Sequence, residues 1–251
     1  LRELVLNILL EIDKEGQYSH LVLRNTLEKY QYLEKQERAF ITRICEGTLE
    51  YRIRLDYILD QFSTVPAEKM KPVIRELLRS SVYQLLYMDN VPDSAVCNEA
   101  VKLARKRGFY NLTGFVNGVL RRIVREYGSI HFPEKNSPVE YLSVIYSMPG
   151  WLVERFLEEY DFATTEKMLE AFLETQPATI RIREYQTEEE AVLESLKEEN
   201  VTVEKAPYVE RAYYVKGYDY LPALTAFRRG SIQVQDCLLY TSDAADDLIG
   251  V

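Results

Sequence analysis

The sequence predicts a mainly α protein: an all-α helical bundle followed by a small α+β domain. Three observations predict it. Apolar residues recur at helical spacing through the first 128 residues, with no strand-like alternation and no internal repeat. The stretch GSIHFPEKNSPVE, with one Gly, two Pro and several polar residues, has the composition of a domain boundary. Beyond it the texture changes, and TIRIR (179–183) alternates at period two, as a half-buried strand does.

In the first segment Leu4, Val5, Ile8, Leu9 and Ile12 share one helical face. Ser19 is placed to cap a second helix carrying Leu21, Val22 and Leu27. A third helix turns Phe40, Ile41, Ile44 and Cys45 inward, and a fourth follows Gly47 and uses Leu55, Ile58, Leu59 and Phe62. The segment after Pro66 carries Met70, Val73, Ile74, Leu77, Leu78, Leu85 and Leu86, with Pro72 acceptable only in its first turn. Val91-Pro92 ends it and Ser94 is placed to cap the next helix. Gly108 and Gly114 bracket the connection into the last helix of this half. In the second half, 151–160, 165–175 and 188–199 read as helices, and TIRIR, VTVEK, YYVKG and SIQVQ as strands. The expected organisation is a helical domain over 1–128, a linker over 129–146 and an α+β domain over 147–236.

Composition narrows the function classes. No apolar run approaches the ~18–20 residues of a membrane span, and the acidic start LRELVLNILLEIDKEG lacks the pattern of a secretory signal. Neither a membrane nor a metal is therefore expected as a partner. Cys45, Cys97 and Cys237 form no close pair and no ligand spacing, and His20 and His131 are isolated. Three unpaired thiols fit a reducing cytoplasm. The net charge of −9 hides an asymmetry: residues 1–130 sum to +3 and residues 131–251 to −12. A mildly basic half joined to an acidic one points to different partners for each.

The clearest chemical feature is KLARKRGFYNLTGFVNGVLRRIVR. It contains Lys102, Arg105, Lys106, Arg107, Arg121, Arg122 and Arg125, with no Asp or Glu from 102 to 125. On a helix, Val116, Val119, Leu120 and Ile123 share one face and Arg121, Arg122 and Arg125 project from the other. Guanidinium forks match phosphate oxygens, so these seven residues are the candidate RNA contacts. The plainer alternative is a solvated face with local ion partners. No catalytic constellation is visible. There is no glycine-rich phosphate loop after a strand and no nucleophile–histidine pairing. No pair of carboxylates has surroundings that would push its two pKa values apart. Cys45 reads as a core residue. Cys97 lies near a helix start, where a thiol pKa can fall, but it too reads as structural. Glu188, Glu189 and Glu190 favour a helix start through its dipole. Tyr213 and Tyr214 are secondary candidates for stacking on bases. No catalytic, cofactor-binding or metal-ligating residue is assigned.

Three stretches carry a resemblance: PVIRELLRSSVYQLLYMDNVPDSAVCNEAVKLAR (72–105), GFVNGVLRRI (114–123) and SMPGWLVERF (147–156), the last followed by PATIRIR (177–183) and GSIQVQD (230–236). Together they resemble the RsmB (Sun/Fmu) family of S-adenosylmethionine-dependent methyltransferases, which act on C5 of a cytosine in small-subunit (16S) ribosomal RNA. The helical half resembles NusB, an all-α RNA-binding antitermination factor. The resemblance covers nearly all of residues 1–236. Two positions depart from it: Arg183 stands where the family tends to have Asn, and Cys97 where a small or aliphatic residue is usual.

The resemblance implies 16S rRNA as partner and S-adenosylmethionine as the cofactor of full-length members. It places the cofactor loop and the nucleophilic cysteine beyond Asp236, so neither cofactor binding nor catalysis is expected of this chain. In the family a phrase like VQDEAS introduces the catalytic domain; here it breaks after Gln235-Asp236. CLLYTSDAADD resembles one translated frame of a transposase adapter used in sequencing libraries. Residues 237–251 are therefore expected to be read-through, and Cys237 not a native cysteine. Two other readings stay open: a stand-alone NusB-like RNA-binding protein in antitermination, and a helical protein–protein adaptor. A stand-alone NusB should end near residue 128, whereas this chain continues for about another hundred residues.

Overall fold

The computed structural model describes residues 1–15, 17–30, 32–174, 177–183, 188–207, 209–218 and 220–235. The expected read-through, including Cys237, lies outside the described residues. The described residues form twelve α-helices and one four-stranded sheet, in two compact units, Leu1–Glu174 and Thr175–Val251.

In the first unit seven helices build one core: α1 (Arg2–Glu15), α2 (Ser19–Lys29), α3 (Lys35–Glu50), α4 (Arg52–Phe62), α5 (Pro72–Tyr87), α6 (Asp93–Lys106) and α7 (Thr113–Arg125). At the centre stands α5, with Ile74, Glu76, Leu77, Leu78, Arg79, Ser80, Ser81, Val82, Tyr83 and Gln84 all buried. It packs on α1, α3, α4, α6 and α7. Pro72 occupies its first turn, where the missing N–H costs no hydrogen bond.

Several local expectations need revision. Ser19 and Ser94 lie inside α2 and α6, whose caps are Tyr18 and Pro92 without a side-chain cap bond. The capping box that does form belongs to α3, between Glu34 and Glu37. Gly47 does not break a helix; it sits within α3 because Tyr83 lies against it. A Cβ at Gly47 would come within 2.0 Å of the Tyr83 ring. Gly114 lies inside α7 rather than before it. Leu6, absent from the single-face reading of α1, is fully buried because that helix packs on α2, α3 and α5 at once.

Burying Arg79 and Glu76 requires partners. Arg79 donates to both oxygens of Asp56 at 2.6 and 2.5 Å and to Glu76 at 2.5 Å. Arg75 bonds Asp13 at 2.6 Å and approaches Glu76 at 3.5 Å. Burial pushes the Glu76 carboxyl above its ordinary value, against the pull of Arg79.

The unit continues into α8 (Pro138–Ile145), α9 (Gly150–Glu159) and α10 (Phe162–Phe172), which share a small core around Leu142, Val153 and Leu169. Helix α8 falls inside the stretch read as linker, and Ile130 and Phe132 of that stretch pack on the main core. The join to the bundle is specific. Ser147, at φ 53°, accepts the Ile53 N–H at 3.0 Å and so finishes the start of α4 from 94 residues away. The guanidinium of Arg54 lies 4.8 Å from the Phe132 ring centre, and Gln61 exchanges two 3.0 Å hydrogen bonds with the His131 backbone.

The second unit holds β1 (Ala178–Ile182), α11 (Glu189–Glu198), β2 (Thr202–Lys205), β3 (Ala212–Lys216), α12 (Thr225–Arg228) and β4 (Ile232–Val234). The strand order is β2-β3-β1-β4, antiparallel throughout, and Ile180 pairs with both Tyr213 and Val234. Ile180, Ile182, Val215 and Ile232 meet Val192 and Leu196 of α11 in its core.

Gly47→Ala is expected to destabilise the protein by about 1–3 kcal/mol through overpacking against Tyr83. This would occur despite the roughly 1 kcal/mol that alanine normally adds in a helix. A lowered urea midpoint at unchanged slope would show it; a raised midpoint would refute the contact. Ser147→Ala is expected to cost about 1 kcal/mol in the same measurement, the typical value of a helix cap. For Glu76 the folded carboxyl binds its proton more tightly than the unfolded one. Its contribution therefore falls as pH rises from the ordinary carboxylate value through the raised one. Glu76→Gln should flatten stability against pH in that window.

Candidate nucleic-acid interface

Helix α7 carries the expected division of faces: Val116, Val119, Leu120 and Ile123 are buried while Arg121, Arg122 and Arg125 are exposed. The fold gives each arginine a different setting. Arg121 is steadied by Asn117 Oδ1 at 2.9 Å. Arg122 bonds Glu126 at 3.0 Å and lies over the Phe62 ring at 5.4 Å from its centre. Arg125 has no acidic partner among the described residues. Three guanidiniums thus project from one helix, two of them held in place by neighbours.

The α6 group behaves differently. Lys102 pairs with Glu99 at 2.7 Å and Lys106 with Glu3 at 2.6 Å. Arg107 is half-buried, bonds the Asn7 side-chain oxygen and lies 3.7 Å from Glu3. Lys106 in turn holds the Glu3 carboxyl below its ordinary value. Arg105 is exposed, without an acidic partner among the described residues. The acid-free run of sequence is therefore not an acid-free surface: Glu3, Glu99 and Glu126 all fold back onto it. The two groups also separate along the helix pair. Lys106 and Arg107 reach Glu3 and Asn7 of α1, while Arg121 is about 12 Å along α7 from its start. The structure brings Arg121, Arg122 and Arg125 together on one helix and sets Lys102, Lys106 and Arg107 apart as partners of α1 and of Glu99.

The other candidates resolve into structural roles. Cys45 and Cys97 are buried, and burial pushes both thiols up; for Cys97 this overrides the pull of Arg121. The lowered pKa that its place near a helix start suggested is not found. Tyr213 is nearly buried and donates to the Glu189 carboxylate; burial, aided by that hydrogen bond, pushes the phenol up to about 12. Its ring is therefore closed to stacking, while Tyr214 is half-buried. Glu189 begins α11, and its side chain also lies 3.6 Å from Arg211. No group of three or more His, Cys, Asp or Glu among the described residues could hold a metal. No described helix is long and apolar enough to cross a membrane. Among the described residues no nucleotide-type cradle is formed. A nucleotide-type cradle forms where a parallel strand runs through a glycine-rich turn into a helix, and this sheet is wholly antiparallel.

Comparison with known proteins finds two family matches along the chain. Residues 1–125 match the NusB family, and residues 148–218 match the Methyltr_RsmF/B-like, ferredoxin-like domain. The probable ribosomal RNA small subunit methyltransferase B of Bacillus subtilis (strain 168) is 34% identical over 236 residues, which is 94% of this chain and 52% of that protein. Its counterpart in Synechocystis sp. is 34% identical over 204 residues, 80% of this chain and 45% of that protein. The chain thus spans about half the length of the curated relatives it matches. The crystal structure of PH0851 superposes with a TM-score of 0.69 at 20% identity, over 92% of this chain and 52% of that one, which supports the fold. With its NusB domain followed by an RsmF/B-type ferredoxin-like domain, the chain belongs to the Sun/RsmB family and matches its N-terminal region.

Proposed function

We propose that this chain is the RNA-recognition and linker portion of an S-adenosylmethionine-dependent 16S rRNA (cytosine-C5) methyltransferase, and that it is catalytically inert by itself. The observation that carries this reading is the exposed face of α7. Arg121, Arg122 and Arg125 stand there on a NusB-family bundle joined to a ferredoxin-like domain. Phosphate oxygens are the natural ligands of such a face, because guanidiniums supply two parallel donors each and several together release counterions. Arg105 is the further contact on α6; Lys102, Lys106 and Arg107 contribute less, since each already faces a carboxylate or amide. The names of the relatives supply the ribosomal RNA and the methyl transfer. The methyl-transfer chemistry itself needs an activated thiolate and a positioned cofactor. The two buried thiols have the opposite environment. The second domain at 148–218 favours this reading over a stand-alone antitermination factor.

Replacing Arg121, Arg122 and Arg125 together by Glu is expected to weaken binding of single-stranded ribosomal RNA. The slope of log affinity against log salt should become shallower by about 2, at roughly 0.7 per lost phosphate contact. Unchanged affinity with intact helix content would move the RNA surface elsewhere. The chain itself is expected neither to methylate 16S rRNA nor to bind S-adenosylmethionine by calorimetry. Methyl incorporation above background would overturn the inert reading.

A further inference from the structure

We propose that Arg183, Arg228 and Arg229 form a second phosphate-binding site, on the α+β unit, which holds the RNA backbone independently of α7. The proposal rests on the reading of the chain as an RNA-recognition region. In sequence these arginines are 45 residues apart, and the acidic half in which they occur sums to −12. The fold joins them. Arg183 continues β1 and donates its backbone N–H to the Ser231 carbonyl at 3.1 Å, which ties the end of that strand to the turn between α12 and β4. Arg228 and Arg229 lie at the end of α12, immediately before that turn.

Gly230 makes the turn at φ 70°, a conformation that a side chain would strain. The Arg183 guanidinium lies above it, 3.9 Å from where a Cβ would stand. All three arginines are exposed, and none has an acidic partner among the described residues. Elsewhere in this unit Arg211 faces Glu189.

Like charges gathered at one turn repel one another, and these make no ion pair among the described residues. A terminal helix dipole does not account for them either, since α12 has only four residues. A polyanion relieves that repulsion. Beside the arginines runs the edge strand β4, where Gln233 is exposed opposite Arg181. An uncharged amide that can both donate and accept suits ribose hydroxyls and base edges better than it suits an acidic peptide. RNA backbone is therefore the ligand the site fits.

The test uses the full chain and a short single-stranded oligoribonucleotide, with affinity read by fluorescence anisotropy across a salt series. The variants are R183Q/R228Q/R229Q; R228Q/R229Q, which leaves β1 untouched; and R121E/R122E/R125E. Circular dichroism checks that each retains its fold. The triple glutamine variant is expected to make the salt slope shallower by about 2 and the double by about 1, at roughly 0.7 per phosphate contact. An unchanged slope and affinity in both overturns the proposal. So does a loss of affinity with no change of slope, which would mean a contact other than phosphate. Weakening by the α7 variant alone sinks this site and keeps the α7 face. Weakening by the glutamine variants alone does the reverse. No RNA binding by the unsubstituted chain overturns both.

Discussion

The helical unit depends on the ion pair between Arg79 and Asp56. A guanidinium with 4% of its side chain exposed cannot remain unpaired inside a bundle. Its carboxylate must come from α4, and a second one from Glu76 on its own helix. This fixes how α4 lies along α5. Arg75 and Asp13 make the corresponding link to α1. Hydrophobic contacts alone would let helices slide past one another by a turn at small cost. A bidentate pair does not, because displacement leaves the buried Arg79 guanidinium without its main carboxylate partner. The aromatic column of Tyr51, Tyr83 and Tyr87 then fits only with glycine at position 47.

Fixing α5 also fixes the surface. Helices α6 and α7 pack on it and on each other, so the buried stripe of α7 determines which way its arginines point. That part of the site was legible in the sequence, because both faces of one helix follow from 3.6-residue periodicity. Two of the three acids that fold onto the basic run were legible as well. Glu99 precedes Lys102 by three residues and Glu126 follows Arg122 by four. Glu3 was not, since it reaches Lys106 across 103 residues of chain.

The same distinction between local and distant causes explains the rest. All four strands and the long helices were readable from alternation and period. The misassigned caps were not: Ser19 and Ser94 have the right chemistry for an N-cap, but the helices begin one and two residues earlier, with Tyr18 and Pro92 at the caps. Gly47 looked like punctuation and is a packing requirement imposed by a ring 36 positions away. Helix α8 was hidden by the Pro and polar residues around it, which mark a boundary as readily as a helix start. The grouping of Arg183 with Arg228 and Arg229 needs the β1–β4 register, which no local pattern encodes.

The Ser147 contact bears on modularity. Homology divides the chain into a NusB part and a ferredoxin-like part, with the first match ending at residue 125. Energetically the division lies elsewhere: the first turn of α4 is completed by a hydroxyl 22 residues past that point, and Arg54 is held between Tyr87 and Phe132. Excising the bundle at the homology boundary leaves a helix end open and an aromatic surface bare. A lineage in which this bundle stands alone must therefore finish its fourth helix in some other way. Here, the segment that connects the two domains has become part of the first one.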